Sequence, residues 1–469
     1  MRRTVTLSVA VALAVLLVSG VSGSAAREAA GDTDKPNIVF ILADDMRKDD
    51  LKYMPKTRSV LRDKGVSFSN AFVSNALCCP TRATIMRGQY SHNTGVWTNK
   101  GSNGGLKAYR NEGNEKDNMA TRLDAAGYRT GLFGKYLNEY SGTLDEPRGW
   151  DRWFAHTGGS QYYDYKINGD GRIIHYGSTS ADYETDVIAD QAKTFIGASA
   201  KAGVPFFTYV APRAPHSPAT PATRDKHAYV GLKAPRLPSF NEKNVADKPP
   251  WIRKLPRLSD AKEAKIDNRA EKRAETLQAL DDLVAGIVGK LGDSGVLSNT
   301  YVFYTSDNGW HGGEHRIPKE KVRPYEEDIR MPLLVRGPSV AARHQAHKLV
   351  LDTDYLPTFT ALAGVHTPNY VDGRSPQPVL KGNTAAWRSA ILLEAAARYS
   401  PAYRGIRTSA GRKYVEYAGG KGELYHLDRD PYELRDSYDP NTPPAILAKR
   451  LKKLRSCAAA SCRAVENGQ

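Results

Sequence analysis

An α/β fold, a sheet with helices on both faces, is predicted by three apolar runs and the helical segments between them. From Asn37 the chain reads Ile38-Val39-Phe40-Ile41-Leu42-Ala43 with no polar alternation. Val204 to Val210 and Thr300 to Thr305 have the same character. Such runs suit strands buried on both faces of a parallel sheet. The second and third each follow a helical pattern, over about residues 185–200 and 274–291. In the latter, Leu277, Leu280, Leu283, Val284 and Ile287 recur at helical spacing. Strand and helix in alternation imply a layered sheet.

The chain starts with Arg2-Arg3, an apolar stretch from Val5 to Val18 and the small residues Ser24-Ala25-Ala26. This is the pattern of an export signal, with cleavage expected after Ala26. The stretch is short for a bilayer span, and no later apolar segment is long enough for one, so a soluble secreted protein without a membrane anchor is expected. Residues 27–35 read as a flexible lead and 36–384 as the catalytic unit. Residues 218–272, rich in Pro, Lys and Arg, read as a long surface excursion. From 385 to 469 a small unit is expected. Its strand candidates are Ile391 to Glu394, Tyr403 to Thr408, Arg412 to Tyr417 and Glu423 to Leu427, followed by a helix at about 445–454.

Of the 469 residues 40% are hydrophobic and 25% charged, which excludes a disordered or fibrous chain. The net charge of +16 favours polyanions, yet a merely solvated basic surface accounts for it equally. No charge block or nucleic-acid module is present, so no nucleic-acid partner is expected. Of four cysteines, Cys457 and Cys462 are close enough in sequence to pair. Cys78 and Cys79 are adjacent, where a mutual bridge is strained, so at least one needs another explanation.

Cys78-Cys79-Pro80-Thr81-Arg82 precedes an apolar stretch, and Pro80 suits a helix's first turn. The Cys78 side chain then lies where free amides favour an anion, with Arg82 one turn on. On spacing alone, two core cysteines at a helix start are the plainer reading. Asp44-Asp45 and Asp307-Asn308 each follow an apolar strand, the position where open α/β sheets build sites. Three carboxylates and an amide make a hard oxygen set suited to calcium or magnesium.

Together these residues resemble the type I, formylglycine-dependent sulfatase family, over Pro36 to about Asp436. Cys78-Cys79-Pro80-Thr81-Arg82 matches its Cys-x-Pro-x-Arg signature. Gly134-Lys135, Pro215-His216, Asp307-Asn308-Gly309, and Lys321 ahead of Tyr325-Glu326-Glu327-Asp328 follow in the family's order. Glu423-Leu424-Tyr425-His426-Leu427 with Asp430-Pro431-Tyr432-Glu433-Leu434 looks like its closing strand.

The resemblance implies an alkaline-phosphatase-like large mixed sheet flanked by helices, with a small C-terminal antiparallel sheet and helix. It implies that a formylglycine-generating enzyme oxidises Cys78 to formylglycine, whose hydrate attacks sulfur and then expels sulfate. It implies one Ca2+ held by Asp44, Asp45, Cys78, Asp307 and Asn308. Arg82 is expected to orient the hydrate, and Lys135 and Lys321 to hold sulfate oxygens. His216 is the first candidate acid for the leaving oxygen and His311 the second. His92-Asn93 is read as structural support and Cys79 as a buried thiol without a role.

Thr81 and Met86-Arg87-Gly88 depart from the commoner Ser and Leu-Thr-Gly, in the stretch the maturation enzyme reads. Leu137 stands where many members have histidine. Gly134-Lys135-Tyr136-Leu137-Asn138, Gly309-Trp310-His311, Ser239-Phe240-Asn241-Glu242 and Tyr325 to Arg330 are similar to the N-acetylglucosamine-6-sulfatase and heparan endosulfatase subgroup. The expected substrate is therefore a 6-sulfated N-acetylglucosamine or related glycosaminoglycan unit. The rival readings are an arylsulfatase, a phosphonate or phosphate ester hydrolase of the same superfamily, and a non-catalytic sulfated-glycan binder if Cys78 is unmodified.

Overall fold

Asn37–Ala43 lies at the centre of a ten-stranded mixed sheet. Its even residues Ile38, Phe40 and Leu42 join one core and its odd residues Val39, Ile41 and Ala43 another. Strand side chains alternate faces, so a run apolar at every position has two apolar layers to fill. The odd face is covered by the helices Glu184–Lys201 and Asp260–Asp293, through residues such as Ile188, Phe195, Leu280 and Ile287. The even face is covered by Cys78–Arg87, Met119–Ala125 and Tyr355–Leu362, through Ile85, Leu123 and Phe359. Each fully buried large apolar side chain contributes about 1.5–3 kcal/mol relative to exposure.

The computed structural model describes residues 35–141, 146–382, 386–398 and 400–469. The expected export signal at 1–26, and the 27–35 lead apart from Lys35, lie outside the described residues. Among the described residues no helix is long and apolar enough to cross a membrane.

Asn37–Ala43 pairs in parallel with Phe206–Ala211 on one side and Thr300–Ser306 on the other. Arg129–Gly134 continues the parallel set beside Phe206–Ala211, followed by Arg152–His156. Antiparallel strands close both flanks: Leu333–Arg336 beside Thr300–Ser306, and the pair Tyr165–Gly169 and Arg172–Tyr176 beyond Arg152–His156. A separate four-stranded antiparallel sheet is formed by Ala390–Ala395, Tyr403–Thr408, Arg412–Tyr417 and Gly422–His426. The helix Ala445–Leu454 packs on it, and a further helix, Ala460–Asn467, carries Cys462, which is disulfide-bonded to Cys457. The expected large mixed sheet with a small C-terminal antiparallel sheet and helix is therefore the fold observed.

The 218–272 excursion is shorter than its composition predicts. Its last part is helical, because the helix expected at 274–291 starts at Asp260 and runs for 34 residues. The early turns have few apolar positions, so periodicity misses them. One apolar contact, Ile266 against Ala234 and Leu258, is joined by a row of charges. Glu263, Asp267, Glu271 and Glu275 recur every fourth residue and bind the segment 227–241. Asp267 pairs with Arg236 at 2.8 Å, and Glu271 and Glu275 accept from the backbone of Gly231 and His227.

Beneath the Cys78 helix, Asp352 accepts hydrogen bonds from the backbone and hydroxyl of Ser74 at 3.0 and 3.1 Å. Burial nevertheless raises its carboxyl to about 8. A carboxyl raised on folding stabilises the fold below its unfolded value of about 4, and that contribution is lost as pH rises through about 8. The expected result for Asp352→Asn is a flatter stability profile than wild type between those limits. Denaturation midpoints measured across that window check it; parallel profiles for the two proteins refute it.

Candidate active site

The four central parallel strands deliver a functional group at their C-terminal ends. Asp44-Asp45 follow Asn37–Ala43, Lys135 follows Arg129–Gly134, His216 lies beyond Phe206–Ala211, and Asp307-Asn308 follow Thr300–Ser306. Successive residues of an extended strand point to opposite faces. Asp45 breaks that alternation with φ +66°, a left-handed conformation that Asp tolerates better than most residues. The turn brings both adjacent carboxylates to one place. Its carbonyl is held by Arg273 Nη2 at 2.7 Å, from the long helix.

Glycine is required twice where the backbone crowds the site. A Cβ on Gly134, which has φ +112°, would lie 2.1 Å from the Ala211 carbonyl oxygen. One on Gly309 would lie 1.9 Å from that of Glu327. The second approach seats Asp307-Asn308 against the segment carrying Tyr325 to Asp328.

Cys78 is the first residue of the helix Cys78–Arg87 and is buried, as are Cys79, Thr81 and Arg82. Its Sγ lies 3.0 Å from Lys321 Nζ, 3.6 Å from Asp44 Oδ1 and 3.8 Å from Asp45 Oδ1. Lys321 Nζ also donates to Asp45, and Lys135 Nζ to Asp44 Oδ2 at 2.6 Å. Arg82 donates from Nε to Asp307 Oδ2 at 2.8 Å and from Nη1 to the Lys135 carbonyl at 2.9 Å. Asn308 Nδ2 donates to Asp45 Oδ1 at 2.7 Å.

Electrostatics follow from this crowding. Burial works to raise Asp44, but Lys135, His216, Arg82 and Lys321 hold it well below the ordinary range. Asp45 is likewise lowered, against its burial, by Lys321 and His216. Asp307 goes up, through burial and the charge of Asp44. Burial pushes the Cys78 thiol up to about 12, despite Lys135 and Lys321.

A divalent cation fits this donor set. Asp45 Oδ2 and Asn308 Oδ1 are buried without a hydrogen-bond partner, which is costly unless a ligand claims them. One ligand atom each from Asp44, Asp45, Cys78 and His216 lies within 4.8 Å of the others. The carboxylates and the Asn308 amide are hard oxygen donors of the kind calcium takes.

His216 and His311 are placed differently. His216 lines an open cavity of about 890 Å³ together with Asp45, Lys321 and Trp310. Its Nδ1 donates to the Ser217 carbonyl at 2.6 Å, and its Nε2 lies 3.8 Å from Asp45 Oδ2. His311 is fully buried, with Nδ1 2.6 Å from Asp328 Oδ1, and burial lowers its pKa. Among the described residues it makes no hydrogen bond or ion pair with Asp44, Asp45, Cys78 or Asp307.

The small C-terminal sheet braces this site from behind. Lys413 Nζ donates to the Pro324 carbonyl at 2.6 Å, and Glu423 accepts from Tyr325 Oη at 2.6 Å. Both fix the segment that follows Lys321. His92 and Asn93 tie the turn after the Cys78 helix to Glu394, Asp372 and the Cys457 carbonyl. Cys79 is buried, its backbone N–H donating to Asn99 Oδ1. Sequence reasoning missed Arg273, whose only local signal is a cation within a Lys- and Arg-rich helix.

A helix-borne cysteine faces lysines and clustered carboxylates at the carboxyl ends of parallel strands, the arrangement of an α/β enzyme site, and kinship is visible in the sequence. The family described as Sulfatase matches residues 36–365, and that described as N-sulphoglucosamine sulphohydrolase, C-terminal, matches 313–459. The chain belongs to the sulfatase family and is a sulfatase enzyme.

It is 33% identical over 494 residues to the N-acetylglucosamine-6-sulfatase of Capra hircus, covering 95% of this chain and 87% of that protein. It is 36% identical over 392 residues to the extracellular sulfatase SULF-1 homolog of Drosophila melanogaster, covering 81% of this chain but 35% of that protein. A solved structure of a protein in complex with its substrate D-glucosamine-2-N,6-O-disulfate superposes with a TM-score of 0.76 at 25% identity. It covers 90% of this chain and 96% of the other.

Proposed function

We propose that this sulfatase removes the 6-sulfate of N-acetylglucosamine or a related glycosaminoglycan unit, with Cys78 converted to formylglycine and one Ca2+ in the carboxylate cluster. The observation that carries the reading is Cys78 at a helix start, 3.0 Å from Lys321 and within 4 Å of two carboxylates. The identity to N-acetylglucosamine-6-sulfatases over nearly the whole chain supports the sugar class. A formylglycine-generating enzyme is the partner needed for maturation, and the expected export signal makes the protein a secreted one.

Asp44, Asp45, Asp307, Asn308 and position 78 would hold the Ca2+, which supplies charge to offset the sulfate and to acidify a bound hydroxyl. Formylglycine supplies a hydrate with one hydroxyl to attack and another to release sulfate. Arg82, fixed by Asp307 and the Lys135 carbonyl, orients position 78. Lys135 and Lys321 bind sulfate oxygens and are charged for it, since Asp44 and Asp45 respectively raise both ammonium groups against their burial. His216 lines the cavity and protonates the departing sugar oxygen; His311, held by Asp328, is the alternative acid. The residues from 36 to 384 carry the chemistry and those from 385 brace it.

The test is sulfate release from N-acetylglucosamine-6-sulfate by protein co-expressed with the maturation enzyme, before and after chelation. Release that chelation abolishes and Ca2+ restores is expected. Turnover of aryl sulfates alone removes the sugar assignment, and faster turnover of phosphonate than sulfate esters refutes the sulfatase reading.

A further inference from the structure

The first turns of the long helix separate their charges by face. Glu263, Asp267, Glu271 and Glu275 are consumed by the segment 227–241, as described above. The adjoining face carries Lys265, Arg269 and Lys272, with Ala261, Ala264 and Asn268 beside them. That face is a wall of the cavity whose other residues include Asp45, His216 and Lys321.

Lys265 and Lys272 are exposed, and among the described residues neither they nor Arg269 has a carboxylate within 4 Å. Arg269 is half-buried. Its Nη1 donates to the Pro318 carbonyl at 3.2 Å, and its guanidinium lies 5.8 Å from the centre of the Trp310 ring, so its place is fixed. Lys319 adds a fourth cation from the opposite segment, where it pairs with Glu320 at 3.5 Å, and Glu320 also lines the cavity. Three cations within two turns of helix repel one another, and acids at these positions would relieve that. Instead the helix's own acids lie on the neighbouring face, and its three cations face the opening, with Glu320 across the cavity taken by Lys319. The cavity, at about 890 Å³, is at the upper end of ligand pockets and has room beyond a single sulfate ester.

We propose that Lys265, Arg269 and Lys272 form a second anion subsite, separate from the scissile-sulfate position, which binds another sulfate or a carboxylate of the same saccharide. This rests on the sulfatase reading above and goes beyond it. The substrate is a multiply anionic saccharide, and the helix wall selects it over a singly sulfated sugar. Guanidinium and ammonium groups suit both anions, with Arg269 able to bind in a bidentate way.

The experiment compares wild type with Lys265→Ala/Lys272→Ala, both positions being exposed enough to leave the fold intact. Three substrates are used: N-acetylglucosamine-6-sulfate, glucosamine-2-N,6-O-disulfate, and a disaccharide of 6-sulfated N-acetylglucosamine with a uronate. The expected result is a fall of about tenfold in kcat/KM, through KM, on a doubly anionic substrate relative to the singly sulfated sugar. The difference should shrink as salt rises. A fall on the disulfate places the second anion on the same ring; a fall on the disaccharide alone places it on the neighbouring ring. Unchanged ratios on both overturn the proposal.

Affinity of the same disaccharide for Cys78→Ala protein, with and without the two lysines, tests the subsite without turnover. Loss of affinity with the lysines supports it, and equal affinity overturns it. Wild type that releases no sulfate while its affinity still depends on the lysines refutes the sulfatase reading and keeps the subsite.

Discussion

Cys78→Ala is expected to lower sulfate release by at least about 10³-fold while leaving the fold and sugar affinity intact. The change removes one atom from a buried position, and the helix start keeps its backbone. What it removes is the group around which Lys321, Asp44 and Asp45 are gathered within 4 Å. The unmodified thiol is a poor substitute nucleophile. Burial pushes it up to about 12, so only a small fraction is thiolate near neutrality. Activity should therefore track conversion of position 78. Mass spectrometry of the peptide containing it reads conversion as exchange of sulfur and two hydrogens for one oxygen. Full activity of Cys78→Ala, or of preparations in which the thiol is wholly intact, defeats the assignment.

Arg388→Met should cost roughly 3–5 kcal/mol of stability. Arg388 is buried, with Nη2 2.5 Å from Asp354 Oδ1 and Nε 3.3 Å from Glu466 Oε2. Asp354 also accepts from the backbones of Leu351 and Arg374, and Glu466 pairs with Arg374 at 2.9 Å. Breaking one partner of a buried ion network leaves the others charged and desolvated, which costs more than the pair contributed. Glu466 lies on the terminal helix Ala460–Asn467 and accepts from Tyr90 Oη, so the loss should loosen the C-terminus first. Denaturant titration with hydrogen exchange on that helix reads both effects. A loss under about 1 kcal/mol would mean that water replaces the arginine.

The sequence by itself determined the elements that bury apolar surface. Asn37–Ala43 is unambiguous because both of its faces are apolar, and the local pattern records that burial directly. Tyr403–Thr408, Arg412–Tyr417 and Ala445–Leu454 match their expected spans for the same reason, with turn residues marking the ends. Membership of the sulfatase family was legible in Cys78-Cys79-Pro80-Thr81-Arg82 and the two acid-bearing strand ends, short motifs fixed by backbone geometry.

Only the tertiary structure decided how charges pair across the chain. The helix from Asp260 is held in its early turns by partners some 30 to 50 residues away, such as Arg236 and His227, which no local window contains. The left-handed turn at Asp45 brings two carboxylates to one point where alternation would separate them. The sequence ranks His216 ahead of His311 by motif position alone; the structure adds that one lines the cavity and the other is buried against Asp328. Pairing of Cys457 with Cys462, left open by their spacing, is settled by the turn that brings Cys457 beside Cys462 in the first turn of the terminal helix. Burial of apolar surface leaves a periodic trace because it acts through neighbours at fixed spacing; ion pairs and site geometry act between distant residues and leave none.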